Sequence, residues 1–284
     1  MGYKPKGGDA GKKDMAIGLL QIDSKVKDVN ANLKEITNRV NEAAEKGANL
    51  IVAPETVLTG YMLGIEDLRN VTQTIPGPAT EEVGAAAKNA NAYVQFGMIE
   101  KSGEDLYNAV AVLGPTGGLI ARYRKTHLWA LEHDIFKAGQ ELCLVDTEFG
   151  TVGITICYDA CFPEFIRALA AMGATVITHS TFWLVKEAAI DKGVAIYHSY
   201  CRTRAFENQV YFVSANRVGN DGFLYGQGCS CVMTPWGSLA GSLAHAPGTL
   251  VVKTEWERLS AWQEIEPLWV DRRPDFYKET LDFC

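Results

Sequence analysis

Short apolar runs alternate with amphipathic stretches along almost the whole chain, and several runs stop abruptly at a reactive polar residue. This alternation predicts an α/β fold, because strands buried on both faces read as continuous apolar segments and the helices that cover them keep one apolar stripe. Met15 to Ile22 reads as such a strand. Asn30 to Lys46 follows, with Leu33, Ile36, Val40 and Ala44 on one helical face and Gly47 as the stop. Leu50 to Val52 is the next strand and runs into Pro54-Glu55. Glu81 to Asn91 predicts a helix and Tyr93 to Ile99 a strand. Ala109 to Gly114 and Gly118 to Arg124 pair about the turn Pro115-Thr116-Gly117. The second half repeats the style. It has strands at Val152 to Cys157, Val176 to His179 and Val210 to Ala215, helices at Phe162 to Met172 and Asp191 to Asn208, and sheet edges at Gly226 to Val232, Leu239 to Ser242 and Thr249 to Lys253. No linker divides these elements, so one domain is expected.

Composition narrows the function classes. The chain has 284 residues, enough for one large core. Its net charge of -7 and lack of a long basic block argue against a nucleic-acid partner. No apolar run is long enough to span a bilayer. Residues 1–14, rich in Gly and Lys, read as a flexible leader rather than a secretory signal. Seven cysteines, an odd number in a chain of this size, argue for free thiols and a cytoplasmic setting. No His or Cys spacing predicts a metal site, and no cofactor is expected.

Three strand ends carry candidate chemistry. The first is Glu55, set by the fixed φ of Pro54 at the mouth of a strand. A loop glutamate is ordinarily solvated. If buried, its pKa would rise and make it a better general base. The second is Tyr123-Arg124-Lys125-Thr126-His127-Leu128-Trp129, where alternation puts Lys125 and His127 on one side of an extended segment. Such a run is usually surface, but an inward lysine could face an oxyanion. The third is Cys157, where a strand turns toward a helix in Ile156-Cys157-Tyr158-Asp159-Ala160-Cys161. A buried cysteine is usually a small apolar side chain. A turn that aims backbone N–H groups at a thiol could instead lower its pKa and stabilise an oxyanion. Cys161, inside the turn, is the weaker rival.

Pro54-Glu55, then Tyr123 to Leu128, then Ile156 to Asp159 with Phe162-Pro163-Glu164, in this order, resembles the nitrilase or carbon–nitrogen hydrolase superfamily. The likeness takes in the stretches that begin at Arg202 and Ser214, and it reaches the tail Asp271 to Tyr277. It implies a four-layer αββα sandwich over residues 15–255, paired into an αββα–αββα dimer. Residues 256–284 would be an extension that supports assembly. It implies Glu55 as general base, Lys125 as the charge beside the oxyanion, Cys157 as nucleophile and Glu132 as a second glutamate. Tyr61 matches a position near the substrate pocket. Tyr158 would supply an oxyanion N–H.

The turn after Cys157 has no arginine to hold a substrate carboxylate, and it reads Cys-Tyr-Asp rather than the Cys-Trp-Glu frequent in true nitrilases. An amidase acting on a small primary amide is therefore preferred. Tyr61, Trp129, Phe182 and Trp183 are expected to line an apolar or aromatic pocket, although some could serve only packing. An N-carbamoyl amidohydrolase or a nitrilase is the alternative. Two further classes stay open: a Cys-His hydrolase with His127, His133 or His179 as base, and a non-catalytic oligomeric binding module. A homodimer or larger even-numbered assembly is expected from the aromatic tail and the Asp191 to Asn208 helix.

Overall fold

The computed structural model describes residues 13–61, 64–185, 190–222 and 224–281. The leader expected over 1–14 lies almost wholly outside the described residues, as does Cys284.

Two six-stranded sheets form the centre. The first orders its strands Gly248–Lys253, Ala16–Gln21, Leu50–Val52, Tyr93–Ser102, Asp105–Leu113 and Leu119–Arg124. The second runs Leu239–Ser242, Cys231–Met233, Tyr211–Asn216, Val176–Thr181, Gly150–Ile156 and Leu144–Thr147. In each sheet the inner strands are parallel and the outer ones antiparallel. The parallel strands are buried along their length, so Ala16–Gln21 and Leu50–Val52 read as nearly continuous apolar runs, whereas Val176–Thr181 buries the polar Thr178, His179, Ser180 and Thr181.

Helices cover both outer faces. Val29–Glu45 and Pro78–Ala90 pack on the first sheet through Ile36, Val40, Val83 and Ala87. Pro163–Ala171 and Ile190–Asn208 cover the second through Ile166, Leu169, Tyr197 and Ala205. Between the sheets, Ile17, Leu19, Val110 and Val112 of one meet Ile154, Ile156, Val213 and Ala215 of the other. The expected four-layer αββα arrangement is what the chain adopts. Polar groups are also buried there and find partners: Gln95 bonds Ser180 at 2.9 Å and Thr178 at 2.7 Å across the gap.

The structure departs from the sequence reading at irregular backbone. The single edge expected over Gly226 to Val232 is two strands, Leu224–Gln227 and Cys231–Met233, which belong to different sheets. Positive φ at Gly228 (68°) and Cys229 (57°) turns the chain between them. Leu224–Gln227 joins Val218–Asp221 and Leu184–Val185 in a small third sheet. The helix expected from Glu81 begins at Pro78, a residue that suits a first helical turn. In the tail, Trp256, Leu259 and Trp269 are buried in the chain's own core.

Candidate active site

Four strand ends converge at one edge of the two sheets. Leu50–Val52 delivers Glu55, Leu119–Arg124 delivers Lys125, Gly150–Ile156 delivers Cys157 and Val176–Thr181 delivers Phe182. The Glu55 loop crosses directly over Gly97. A Cβ there would lie 2.5 Å from the Pro54 carbonyl oxygen and 2.8 Å from the Glu55 Cα. Only glycine admits the crossing.

Glu55 is fully buried, Lys125 is 1 % exposed and Glu132 is 2 % exposed. Lys125 Nζ donates to Glu55 Oε1 at 2.8 Å and reaches Glu132 Oε2 at 2.8 Å and Oε1 at 2.9 Å. Asn108 Nδ2 donates to both carboxylates, at 2.7 Å to Glu55 and 2.8 Å to Glu132. Backbone completes the cluster: Phe182 N–H donates to Glu55 Oε2 at 2.8 Å, and Trp129 N–H donates at 2.7 Å to Glu132 Oε2, which Lys125 also reaches. Glu132 faces this cluster, while Asp134 is exposed. Asn108 was missed in the sequence. The signal was a lone polar residue at the start of the apolar run Ala109 to Leu113.

The electrostatics follow from two carboxylates sharing one ammonium out of water. Burial acts to raise the Glu55 pKa, but Lys125, Asn108 and the Phe182 N–H together outweigh it and hold the carboxyl below its usual range. This corrects the expectation that burial would raise it. Glu132 goes the other way: burial and the Glu55 charge raise it against Lys125. Burial acts to lower the Lys125 pKa, but Glu55, Cys157 and Glu132 hold it well above the usual value. Lys125 is therefore a firm cation.

Cys157 starts a short 3-10 helix, Cys157–Cys161, with φ at +43°. That backbone is strained for a residue with a side chain. Asp159 holds the turn: its Oδ2 accepts from Ile156 N–H at 3.0 Å and from the Tyr123 hydroxyl at 2.7 Å. Its Oδ1 accepts from His127 N–H at 2.9 Å, and His127 Nδ1 lies at the same distance. Tyr158 lies in the first turn, where helical N–H groups lack intrahelical acceptors. The Cys157 thiol pKa is pushed well up by burial and the Glu55 carboxylate, against Lys125 and the Thr181 hydroxyl. The turn does not lower it as expected, because desolvation of the thiolate outweighs the favourable charges.

The three candidate histidines are engaged by other partners or lie at the surface. His127 is bonded to Asp159, His133 is exposed, and His179 Nε2 lies 2.9 Å from the Cys157 carbonyl oxygen. This geometry disfavours a Cys-His dyad.

Above the thiol lies a cavity of about 140 Å³ lined by Tyr61, Trp129, Tyr158, Phe182 and Trp183, together with Cys157, Cys161 and Leu184. The four expected pocket residues, Tyr61, Trp129, Phe182 and Trp183, thus share one space with Cys157 and with Tyr158, the expected oxyanion donor. The Tyr61 and Phe182 rings meet edge to face at 5.5 Å. Larger surface hollows of about 550 and 570 Å³, rimmed by Arg124 and Lys137 or by Lys101 and His133, touch none of these residues. Among the described residues no group of three or more His, Cys, Asp or Glu could hold a metal ion.

A two-sheet α/β sandwich with this strand-end cluster defines a hydrolase of the nitrilase type. The chain belongs to the carbon–nitrogen hydrolase family, whose profile matches residues 16–264. A nitrilase of Pyrococcus abyssi is 32% identical over 267 residues, spanning 92% of this chain and 98% of its own. A hydrolase encoded in the pqqF 5' region of Pseudomonas protegens is 32% identical over 274 residues, spanning 95% and 93%. Among solved structures, a variant of the amidase from Nesterenkonia sp. AN1, showing Michael addition of acrylamide at its active-site cysteine, superposes with a TM-score of 0.76. It is 25% identical, and the match covers 93% of this chain and 99% of that one.

Proposed function

We propose that the protein is an amidase that converts a small, apolar or aromatic primary amide to its carboxylate and ammonia through a thioester on Cys157. The observation that carries this reading is Lys125 held between two buried carboxylates, each of which accepts a backbone N–H from a residue, Phe182 or Trp129, that lines the apolar cavity with Cys157. The acrylamide adduct on the cysteine of the related amidase supports a cavity that admits a short primary amide.

Each residue has a step. Glu55 takes the thiol proton as Sγ attacks the amide carbon. A depressed carboxyl pKa and a raised thiol pKa make a standing thiolate unfavourable, so the proton moves as the C–S bond forms. Lys125 and the Tyr158 N–H stabilise the oxyanion. Collapse breaks the C–N bond, and Glu55 returns its proton to the leaving ammonia. Water then attacks the thioester, Glu55 accepts its proton, and the carboxylate leaves as the thiol is restored. Glu132 and Asn108 fix the Lys125 ammonium. No cofactor takes part in this scheme.

The same reading extends to context. A homodimer or larger even-numbered assembly is proposed, with residues 256–284 contributing to it. Among the described residues no helix is long and apolar enough to cross a membrane. The six described cysteines stand as free thiols, which suits a reducing compartment such as the cytoplasm.

An ammonia-release screen over short aliphatic amides, aromatic amides, nitriles and N-carbamoyl amino acids tests the proposal. Turnover confined to amides, and lost in Cys157→Ala, is the expected result. Preference for nitriles or carbamoyl compounds would replace the substrate class. Equal rates in Cys157→Ala would overturn the mechanism.

A further inference from the structure

We propose that the buried ion pair Arg217–Asp221 is a positioning device that sets the aromatic wall of the substrate cavity and, through it, one oxygen of Glu55; this rests on the amidase reading above. Both side chains are fully closed to solvent. The pair is bidentate: Arg217 Nη2 donates to Asp221 Oδ1 at 2.7 Å and Nη1 to Oδ2 at 2.9 Å. Fork geometry of this kind fixes orientation as well as distance.

What the pair touches gives it a role. Asp221 Oδ2 also accepts from the backbone N–H of Tyr61 at 2.7 Å. The guanidinium carbon of Arg217 lies 4.4 Å from the centroid of the Phe182 ring. Tyr61 and Phe182 are the two rings that meet edge to face in the cavity. From behind, the strand Leu224–Gln227 presses on the same wall: a Cβ at Gly226 would lie 2.7 Å from Phe182 Cε2 and 2.8 Å from the Arg217 carbonyl oxygen. Phe182 in turn donates its N–H to Glu55 Oε2 at 2.8 Å.

A chain of direct contacts therefore runs from Asp221 to Tyr61, from Arg217 to Phe182 and from Phe182 to Glu55. Neither charged residue lines the cavity, so neither is a catalytic group. They act through the residues they hold. Buried ion pairs are weak evidence for stability, because desolvation offsets their attraction. Fixing the geometry of a reacting centre is a use in which a rigid, planar, bidentate contact serves better than an apolar substitute.

The test uses the full chain and two thiol reagents. Iodoacetamide carries a primary amide and must enter the cavity as a substrate would; methyl methanethiosulfonate has no amide to place. The rate of each at Cys157 is read by peptide mass spectrometry in wild type, Asp221→Asn and Arg217→Lys. The ratio of iodoacetamide to methanethiosulfonate rate is expected to fall by about ten-fold or more, since misplacement by an ångström costs up to about 10²-fold. KM for the shortest amide should rise, and the ranking of amides by length should flatten. Arg217→Lys keeps a positive charge opposite Asp221 and serves if Asp221→Asn does not fold. A lowered melting temperature with an unchanged reagent ratio would assign the pair to structure alone and overturn the proposal. If wild type hydrolyses no amide, the functional reading fails, while the reagent ratio still decides the positioning role.

Discussion

His179 Nε2 lies 2.9 Å from the carbonyl oxygen of Cys157, and it does so at a residue whose φ is +43°. A carbonyl only accepts, so Nε2 carries the proton and Nδ1 faces the Ser214 hydroxyl at 2.6 Å. The histidine therefore clamps the strained turn that presents the thiol rather than activating the thiol itself. Replacing it with alanine should release the turn and lower kcat by about 10–10². His179→Gln, which keeps an N–H for the carbonyl, should recover most of that loss. Steady-state kinetics on the three proteins checks this.

The same histidine gives a pH dependence. Burial pushes its pKa down to about 4 from 6.5. Between those values the unfolded chain binds a proton that the folded chain refuses. The contribution of the neutral ring to stability is complete above pH 6.5 and shrinks by about 3 kcal/mol as the pH falls toward 4. Urea unfolding at pH 7 and pH 4.5 should show a clearly smaller difference for His179→Gln than for wild type.

Cys157 should carry the first covalent adduct. Cys161 lines the same cavity, so it is the proper control. Brief exposure to iodoacetamide followed by peptide mapping should find Cys157 modified in step with loss of activity. First labelling at Cys161, with activity lost at the same rate, would move the nucleophile.

Glu55→Gln is the clean probe of the base, because it preserves volume at a fully buried position. A loss in kcat of about 10²–10⁴ is expected. Lys125→Met should cost about 10²–10³ through the oxyanion. It also leaves two buried carboxylates without their cation, so a stability loss of about 3–5 kcal/mol should accompany it. Kinetics and denaturant unfolding, measured side by side, separate the two effects. A Glu55→Gln enzyme with near-normal kcat would remove Glu55 from the mechanism.

Asn108 donates to both glutamates, so its replacement should disturb the lysine from two sides. Asn108→Asp sets a third carboxylate beside one ammonium and should be more damaging to kcat than Asn108→Ala. Equal effects of the two would show that Asn108 only fills space.

Assembly is best tested without cutting the tail. Truncation before Trp256 would remove Trp256, Leu259 and Trp269 from the core and open the fold. Ile196 is 62% exposed and Phe206 40% exposed on the helix Ile190–Asn208. Ile196→Glu and Phe206→Glu should shift the sedimentation mass toward that of one chain of 31.1 kDa while leaving the fold intact. A wild-type protein that sediments as a monomer at micromolar concentration would refute the assembly.

The sequence pattern alone determined the α/β class and the reactive strand ends, while the four-layer sandwich was implied by the family resemblance. Those features are local: a strand buried on both faces is mostly apolar unless its polar side chains find partners, a helix on a sheet must keep one stripe, and a proline or glycine fixes where each run stops. It also set Glu55, Lys125 and Cys157 at such ends. The tertiary structure decided what those groups became. Glu55 meets Asn108, Lys125 and Phe182, which lie 53, 70 and 127 positions away along the chain. No spacing pattern encodes contacts of that separation. The signs of the pKa shifts depend on them, because burial and paired charge oppose each other and only distance settles which is larger. The same holds for the clamp of His179 on Cys157 and for Arg217 behind Phe182. Their side chains are buried by elements remote in sequence, and their roles exist only once the two sheets close on each other.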